Sequence, residues 1–101
     1  MELRSRVALV TGAGHRLGRA IALALGRRGM DVGVHCNRSR REAGVTVHAL
    51  QELGVRGEIF QADLSDAAAA RDLPARVAGS LGRLDVLVNS AGIMTRATIE
   101  E

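Results

Sequence analysis

The sequence has no lysine, no tyrosine and no tryptophan, and only one phenylalanine, one proline and one cysteine. With aromatics at 1%, the core has to be built from aliphatic side chains. The same scarcity removes the interleaved aromatic and basic residues on which single-stranded nucleic acid stacks. The lone Cys36 excludes an internal disulfide and suits a reducing compartment. No apolar run approaches the ~20 residues of a membrane span, and the opening MELRSRVALV is too short and too charged for a signal peptide. These absences describe a soluble, cytoplasmic chain with neither a membrane nor a nucleic-acid partner. A metal site is not expected either. His35 and Cys36 are neighbours on a probable strand and point to opposite faces, while His15 and His48 have no ligand-like spacing.

What is present is enough for one domain, though a small one for an enzyme: 101 residues, 47% of them hydrophobic. The net charge of +3 is carried by arginines scattered along the chain, with pairs at Arg27–Arg28 and Arg40–Arg41. Such scatter reads as a solvated surface rather than a binding stripe.

Short apolar runs alternate with helix-period stretches. Strands are expected at Val7–Thr11, Val32–Cys36, Arg56–Ala62 and Leu84–Asn89. A first helix over Arg16–Arg28 repeats Leu17, Ala20, Ile21, Ala24 and Leu25 on one face. A second, Ser39–Leu53, turns Ala43, Val47, Leu50 and Leu53 to one side and stops at Gly54. A third is capped by Ser65 and carries Ala70, Leu73, Val77 and Leu81 inward to a stop at Gly82. Pro74 should cost that helix about 3 kcal/mol, so a kink or a division near Leu73 is expected. Strand-helix alternation with apolar strands indicates an α/β fold: a Rossmann-like parallel sheet covered by helices on both faces. Right-handed crossovers put the first two helices on one face and the third on the other, with strand order 3-2-1-4 and the sheet truncated after the fourth strand. Residues 1–101 are expected to form a single, incomplete domain of this kind.

The chemistry is concentrated in VALVTGAGHRLGRAIALAL, Val7 to Leu25, where a strand ends in a glycine-rich turn and a helix begins. Free amides and the positive end of the helix dipole favour an anion at that point. Gly12 and Gly14 allow a tight turn close to a pyrophosphate, and Gly18 allows close helix packing. Thr11, Gly12, Gly14, His15, Arg16, Leu17 and Gly18 are therefore the first candidate cofactor contacts; an ordinary strand-to-helix turn is the alternative. About 20 residues further on, an acid would take the ribose hydroxyls of NAD and a base the 2′-phosphate of NADP. The stretch is VHCNRSRR, with no acid at Cys36 or Asn37 and with Arg38 and Ser39 offering a guanidinium and a hydroxyl. This selects NADP(H), unless Ser39 only caps the second helix and Arg38 is only solvated.

From these residues the chain resembles the short-chain dehydrogenases/reductases, whose first turn reads Thr-Gly-x-x-x-Gly-x-Gly. Thr11, Gly12 and Gly18 match, and Arg16 stands at the middle glycine. The form resembles the pteridine-reductase-like branch, in which the arginine lies near the cofactor phosphates and the substrate, and which carries a similar Asn-Arg-Ser segment, here Asn37, Arg38 and Ser39. The resemblance further implies that Asp63 of QADLS contacts the adenine, flanked by the Leu64 backbone. In LDVLVNSAG, where Ser90 replaces the family's second Asn and is counted with the cofactor contacts, it implies that Asn89 stabilises the sheet's carboxyl edge and that Ala91 and Gly92 pass beneath the cofactor ribose. It implies hydride transfer to a pteridine-like or small carbonyl substrate, and homo-oligomers. The family's Tyr-x-x-x-Lys pair is missing, since the chain has neither residue type, so no catalytic residue can be assigned and these 101 residues alone are expected to be inactive. Either they are the N-terminal cofactor-binding part of an NADP-dependent reductase, or they are a complete non-catalytic binding or interaction module. An open fourth-strand edge and a sheet face covered by one helix would make the chain alone prone to aggregate, which favours the first.

Overall fold

The computed structural model describes residues 2–90. Four strands and three helices alternate: β1 (Val7–Thr11), α1 (Arg16–Arg27), β2 (Asp31–Cys36), α2 (Arg40–Glu52), β3 (Gly57–Gln61), α3 (Ala67–Leu81) and β4 (Val86–Asn89). All three strand pairs are parallel and the order is β3-β2-β1-β4, the order the alternation implied. Pairing Thr11 with Asn89 and Cys36 with Gln61 brings the carboxyl ends of the strands to one rim.

The twofold side-chain alternation of β1 and β2 divides the core into two layers. Val10, Val32, Val34 and Cys36 pack with Ala22 of α1 and with Ala43 and Leu50 of α2. Val7 and Leu9 turn the other way and meet Phe60 and the α3 residues Leu73, Val77 and Leu81. Two helices thus cover one face and a single helix the other. Both faces of β1 and β2 are dry, which is why their sequences are continuous apolar runs instead of alternating ones.

Three helical expectations need correction. The buried stripe of α1 is Gly18, Ala22 and Gly26, with Ile21 and Leu25 half-buried; Leu17 is 53% exposed, and Ala20 and Ala24 are exposed too. The helix lies too close to its neighbours for larger residues: a Cβ on Gly26 would sit 2.6 Å from Leu50 Cδ2. Hydrophobic periodicity cannot register a stripe made of glycine. In α2, Ala43 and Leu50 are buried as expected, but the third buried residue is Thr46, while Leu53 is 41% exposed.

The third correction concerns α3, which runs as one helix through Pro74. Buried Leu73 and Val77, on either side of the proline, hold it to the sheet. Full burial of each contributes about 1.5–3 kcal/mol, enough to offset the proline. Its N-cap is Asp66, whose carboxylate accepts from the Ala68 and Ala69 amides. Ser65 is instead committed to Asp63.

Candidate functional site

The turn between β1 and α1 sits at the carboxyl rim, and most of its backbone donors are already engaged. The Gly12 amide donates to Nδ1 of His35 at 3.0 Å, the Ala13 amide to the His35 carbonyl at 3.0 Å, and the His15 amide to the Gly12 carbonyl at 3.1 Å. Because α1 starts at Arg16, the amides of Arg16, Leu17 and Gly18 have no intrahelical acceptor, and no acidic residue stands in the first turn to compete for them. These three amides are the donors that the start of α1 leaves without a helical partner, where the helix dipole favours an anion.

Each turn glycine has its own physical cause. Gly12 has φ +66°, a left-handed conformation that favours glycine. Gly18 is fixed by proximity: a Cβ there would lie 2.3 Å from the Gly12 carbonyl oxygen and 2.8 Å from Ala13 Cα. It therefore seats the helix on the turn itself. A Cβ on Gly14 would lie 3.1 Å from the Ala43 amide nitrogen and 3.3 Å from the Ser39 carbonyl, so Gly14 lets the first turn of α2 come up against the loop.

Three residues that pattern reasoning passed over hold this turn in place. His35 is buried in β2; its Nε2–H donates to the Ala62 carbonyl at 2.8 Å while Nδ1 accepts from Gly12, which fixes a neutral tautomer. Burial lowers its pKa, the bond to Ala62 partly opposing and the Arg76 charge adding to the fall. Thr46 of α2, wholly buried, donates to the Ala13 carbonyl at 3.0 Å and accepts from Arg19 Nε at 3.1 Å. Arg19 Nη2 then donates to the Gly14 carbonyl at 3.2 Å. The available signal was a lone polar residue inside each apolar stripe, His35 among valines and Thr46 between Ala43 and Leu50.

Beyond the end of β2, Asn37 and Arg38 are exposed and Ser39 is half-buried. Ser39 occupies the N-cap position of α2 but its hydroxyl makes no capping bond. The Asn37 carbonyl is held by Gln61 Nε2 at 2.9 Å, tying this loop to β3. Burial pushes the neighbouring Cys36 thiol up in pKa, with Arg40 partly offsetting it.

Asp63 lies on the same rim, and its Oδ1 accepts from both the Ser65 hydroxyl, at 2.7 Å, and the Ser65 amide, at 2.9 Å. These bonds hold its carboxyl below the usual range, with a further contribution from the Arg38 charge. Leu64 lines an open apolar cleft between α3 and β4. At the carboxyl ends of β1 and β4 the Thr11 hydroxyl donates to Asn89 Oδ1 at 2.9 Å, and the Ser90 hydroxyl donates to the Thr11 carbonyl. Ala91 and Gly92 lie outside the described residues.

The rim therefore carries three first-turn amides without an intrahelical acceptor, an exposed guanidinium with a hydroxyl beside it, and a carboxylate fixed by Ser65. A family model described as short chain dehydrogenase matches residues 6–101. The chain belongs to the short-chain dehydrogenase family. Among its relatives is an uncharacterized oxidoreductase of Methylorubrum extorquens, 42% identical over 99% of this chain and 40% of that protein. A short-chain dehydrogenase/reductase homolog of Bacillus subtilis, YusS, is 34% identical over the whole chain and 93% of its own length. A short chain dehydrogenase from Burkholderia cenocepacia, solved in complex with NADP, superposes with a TM-score of 0.87 at 38% identity, covering 98% of this chain and 40% of that one. The chain thus spans about two-fifths of two of these proteins and nearly all of the third.

Proposed function

We propose that residues 1–101 form a single, incomplete Rossmann domain that holds NADP(H) for a short-chain oxidoreductase. The observation that carries this is the pairing of two anion-facing sites on one rim: the amides of Arg16, Leu17 and Gly18, and the Arg38–Ser39 step at α2, with no acid between Cys36 and Ser39. The first suits a pyrophosphate and the second a 2′-phosphate. Asp63 and the Leu64 backbone would flank the adenine, Asn89 would stabilise the sheet's carboxyl edge, and Ala91 and Gly92 would pass beneath the ribose. The bound cofactor supplies the hydride; this chain's residues bind and orient it. The NADP-bound Burkholderia relative supports the same cofactor.

Catalysis itself would belong to residues beyond these, because no tyrosine or lysine stands among the 101. The substrate class would be a pteridine-like or small carbonyl compound, on the strength of HRLG at His15–Gly18 and NRS at Asn37–Ser39, and Arg16 would stand near it. The whole polypeptide would be a homo-oligomer working in a reducing, cytoplasmic compartment, in keeping with the buried free thiol of Cys36. A second reading, a non-catalytic dinucleotide-binding module, is favoured by one observation: the Bacillus subtilis homolog is matched over 93% of its length.

The decisive test replaces Arg38 with alanine in the whole natural polypeptide and titrates both nucleotides. NADPH affinity should fall at least about tenfold, the loss of one charge-assisted phosphate contact, with NADH little changed. Equal losses would remove Arg38 from the phosphate site. Turnover of a dihydropteridine or a 3-oxoacyl thioester by the same protein separates the oxidoreductase from the module, which would bind NADPH and reduce neither.

A further inference from the structure

We infer that Arg19 and Thr46 are positioning residues that set the distance between the pyrophosphate turn and the 2′-phosphate site, and so tune the preference for NADPH over NADH. The inference rests on the NADP(H) reading above. The geometry behind it is a closed hydrogen-bonded ring joining two elements that are far apart in sequence. The Thr46 hydroxyl, on α2, donates to the Ala13 carbonyl at 3.0 Å and accepts from Arg19 Nε at 3.1 Å; Arg19 Nη2, on α1, donates to the Gly14 carbonyl at 3.2 Å. The Ala13 carbonyl is thus tied directly to α2 by Thr46, and the Gly14 carbonyl is held by Arg19 of α1, which is itself bonded to Thr46. Such carbonyls would repel a pyrophosphate if the turn flipped, and the ring holds them away from the anion-facing amides.

The same helix carries Ser39 at its N-cap, with Arg38 one residue before it. Gly14 permits the approach, since a Cβ there would be 3.1 Å from the Ala43 amide nitrogen. The latch therefore links the two anion sites through one side chain that is wholly buried and one that is half-buried. Among the described residues Arg19 has no carboxylate partner, so its charge also stays available beneath the turn. A ligand with phosphates at both sites gains from their fixed spacing, as two linked ligands gain from a linker of the right length. A ligand with only the pyrophosphate does not.

The experiment measures NADPH and NADH dissociation constants for the whole natural polypeptide and for Thr46→Val and Thr46→Ser. Removing the hydroxyl with Thr46→Val should weaken NADPH about tenfold, the scale of a charge-assisted hydrogen bond, and NADH clearly less, so that the NADPH:NADH ratio falls. Thr46→Ser, which keeps the hydroxyl, should restore the ratio. A general loss of stability would move both nucleotides together, so equal weakening overturns the inference, as does a serine variant that behaves like valine. If Thr46→Val does not fold, Arg19→Gln takes its place under the same criteria. Amide hydrogen exchange without nucleotide supplies an independent arm, in which Thr46→Val should speed exchange at Gly14 to Gly18. Wild-type protein that binds neither nucleotide would refute the cofactor reading, and unchanged exchange would refute the latch on its own.

Discussion

The Gly12 amide donates to Nδ1 of His35 at 3.0 Å, across the sheet rim from the Ala62 carbonyl that accepts from Nε2 at 2.8 Å. An amide can only donate, so Nδ1 must stay unprotonated while the turn keeps this shape. Protonating His35 sets an N–H against an N–H at the start of the phosphate turn. Burial accordingly lowers its pKa in the folded state from the ordinary 6.5. The unfolded chain takes the proton more readily, so the stability this residue contributes is complete above pH 6.5 and is lost as pH falls from there toward the folded value. The slope from one such group is at most about 1.4 kcal/mol per pH unit. Urea midpoints measured from pH 7.5 down to 5 should fall in the wild type, and the fall should be smaller in His35→Gln. Parallel profiles would show that His35 does not titrate with folding.

Gly18 and Gly44 are both helical glycines, and the same substitution should have opposite effects at the two. A Cβ on Gly18 would press to 2.3 Å from a backbone oxygen of the turn, whereas one on Gly44 meets nothing within 4 Å. Gly18→Ala should destabilise by about 1–3 kcal/mol, as overpacking against backbone does, and should weaken nucleotide binding because the turn itself must move. Gly44→Ala should stabilise by about 0.5–1 kcal/mol through helix propensity. Thermal melts of the two variants against wild type check the sign of each.

Most of the architecture was legible because it rests on apolar runs. β1 was bounded at Val7 and Thr11 from its sequence alone, and the crossover rule then ordered the sheet. Illegible features were those made by absent or polar side chains. The stripe Gly18–Ala22–Gly26 shows no hydrophobic signal, so the face of α1 was assigned one position out, on Leu17 and Ile21. Of the kink or division that Pro74 implies for α3, the division does not occur, because propensity carries no term for the sheet contacts of Leu73 and Val77. The two anion-facing segments were visible as Gly-rich and Arg-Ser motifs. Their supports were not, because the bonds of His35, Arg19 and Thr46 close only when distant segments meet.

The α3 cap separates a local rule from its neighbour. Ser65 satisfies the general N-cap preference, but Asp66 is the residue whose side chain meets two first-turn amides, at 3.0 and 3.3 Å. Asp66→Ala should cost about 1 kcal/mol. The Ser65 hydroxyl makes no α3 cap, so the effect of Ser65→Ala should instead appear as a rise in the Asp63 pKa, because that hydroxyl bond is the largest cause of its lowering. Side-chain carboxyl NMR titration of Asp63 distinguishes the two variants.

Leu87 is 55% exposed on β4, beside the open cleft that Leu9, Leu64 and Leu73 also line. β4 ends the strand order among the described residues, so its outer backbone groups face away from β1. An apolar face next to a strand edge offers a second chain both a ladder to extend and a surface to bury. The 101-residue chain expressed alone should therefore self-associate, with sedimentation that depends on concentration. Leu87→Lys should shift it toward monomer by placing a charge on that face, while leaving unchanged the residues of the two anion sites, which follow β1 and β2. A chain that stays monomeric at high concentration and unfolds cooperatively would show that this edge needs no cover. That outcome would strengthen the binding-module reading over the oxidoreductase one, because a free-standing nucleotide-binding unit has to tolerate its own β4 edge.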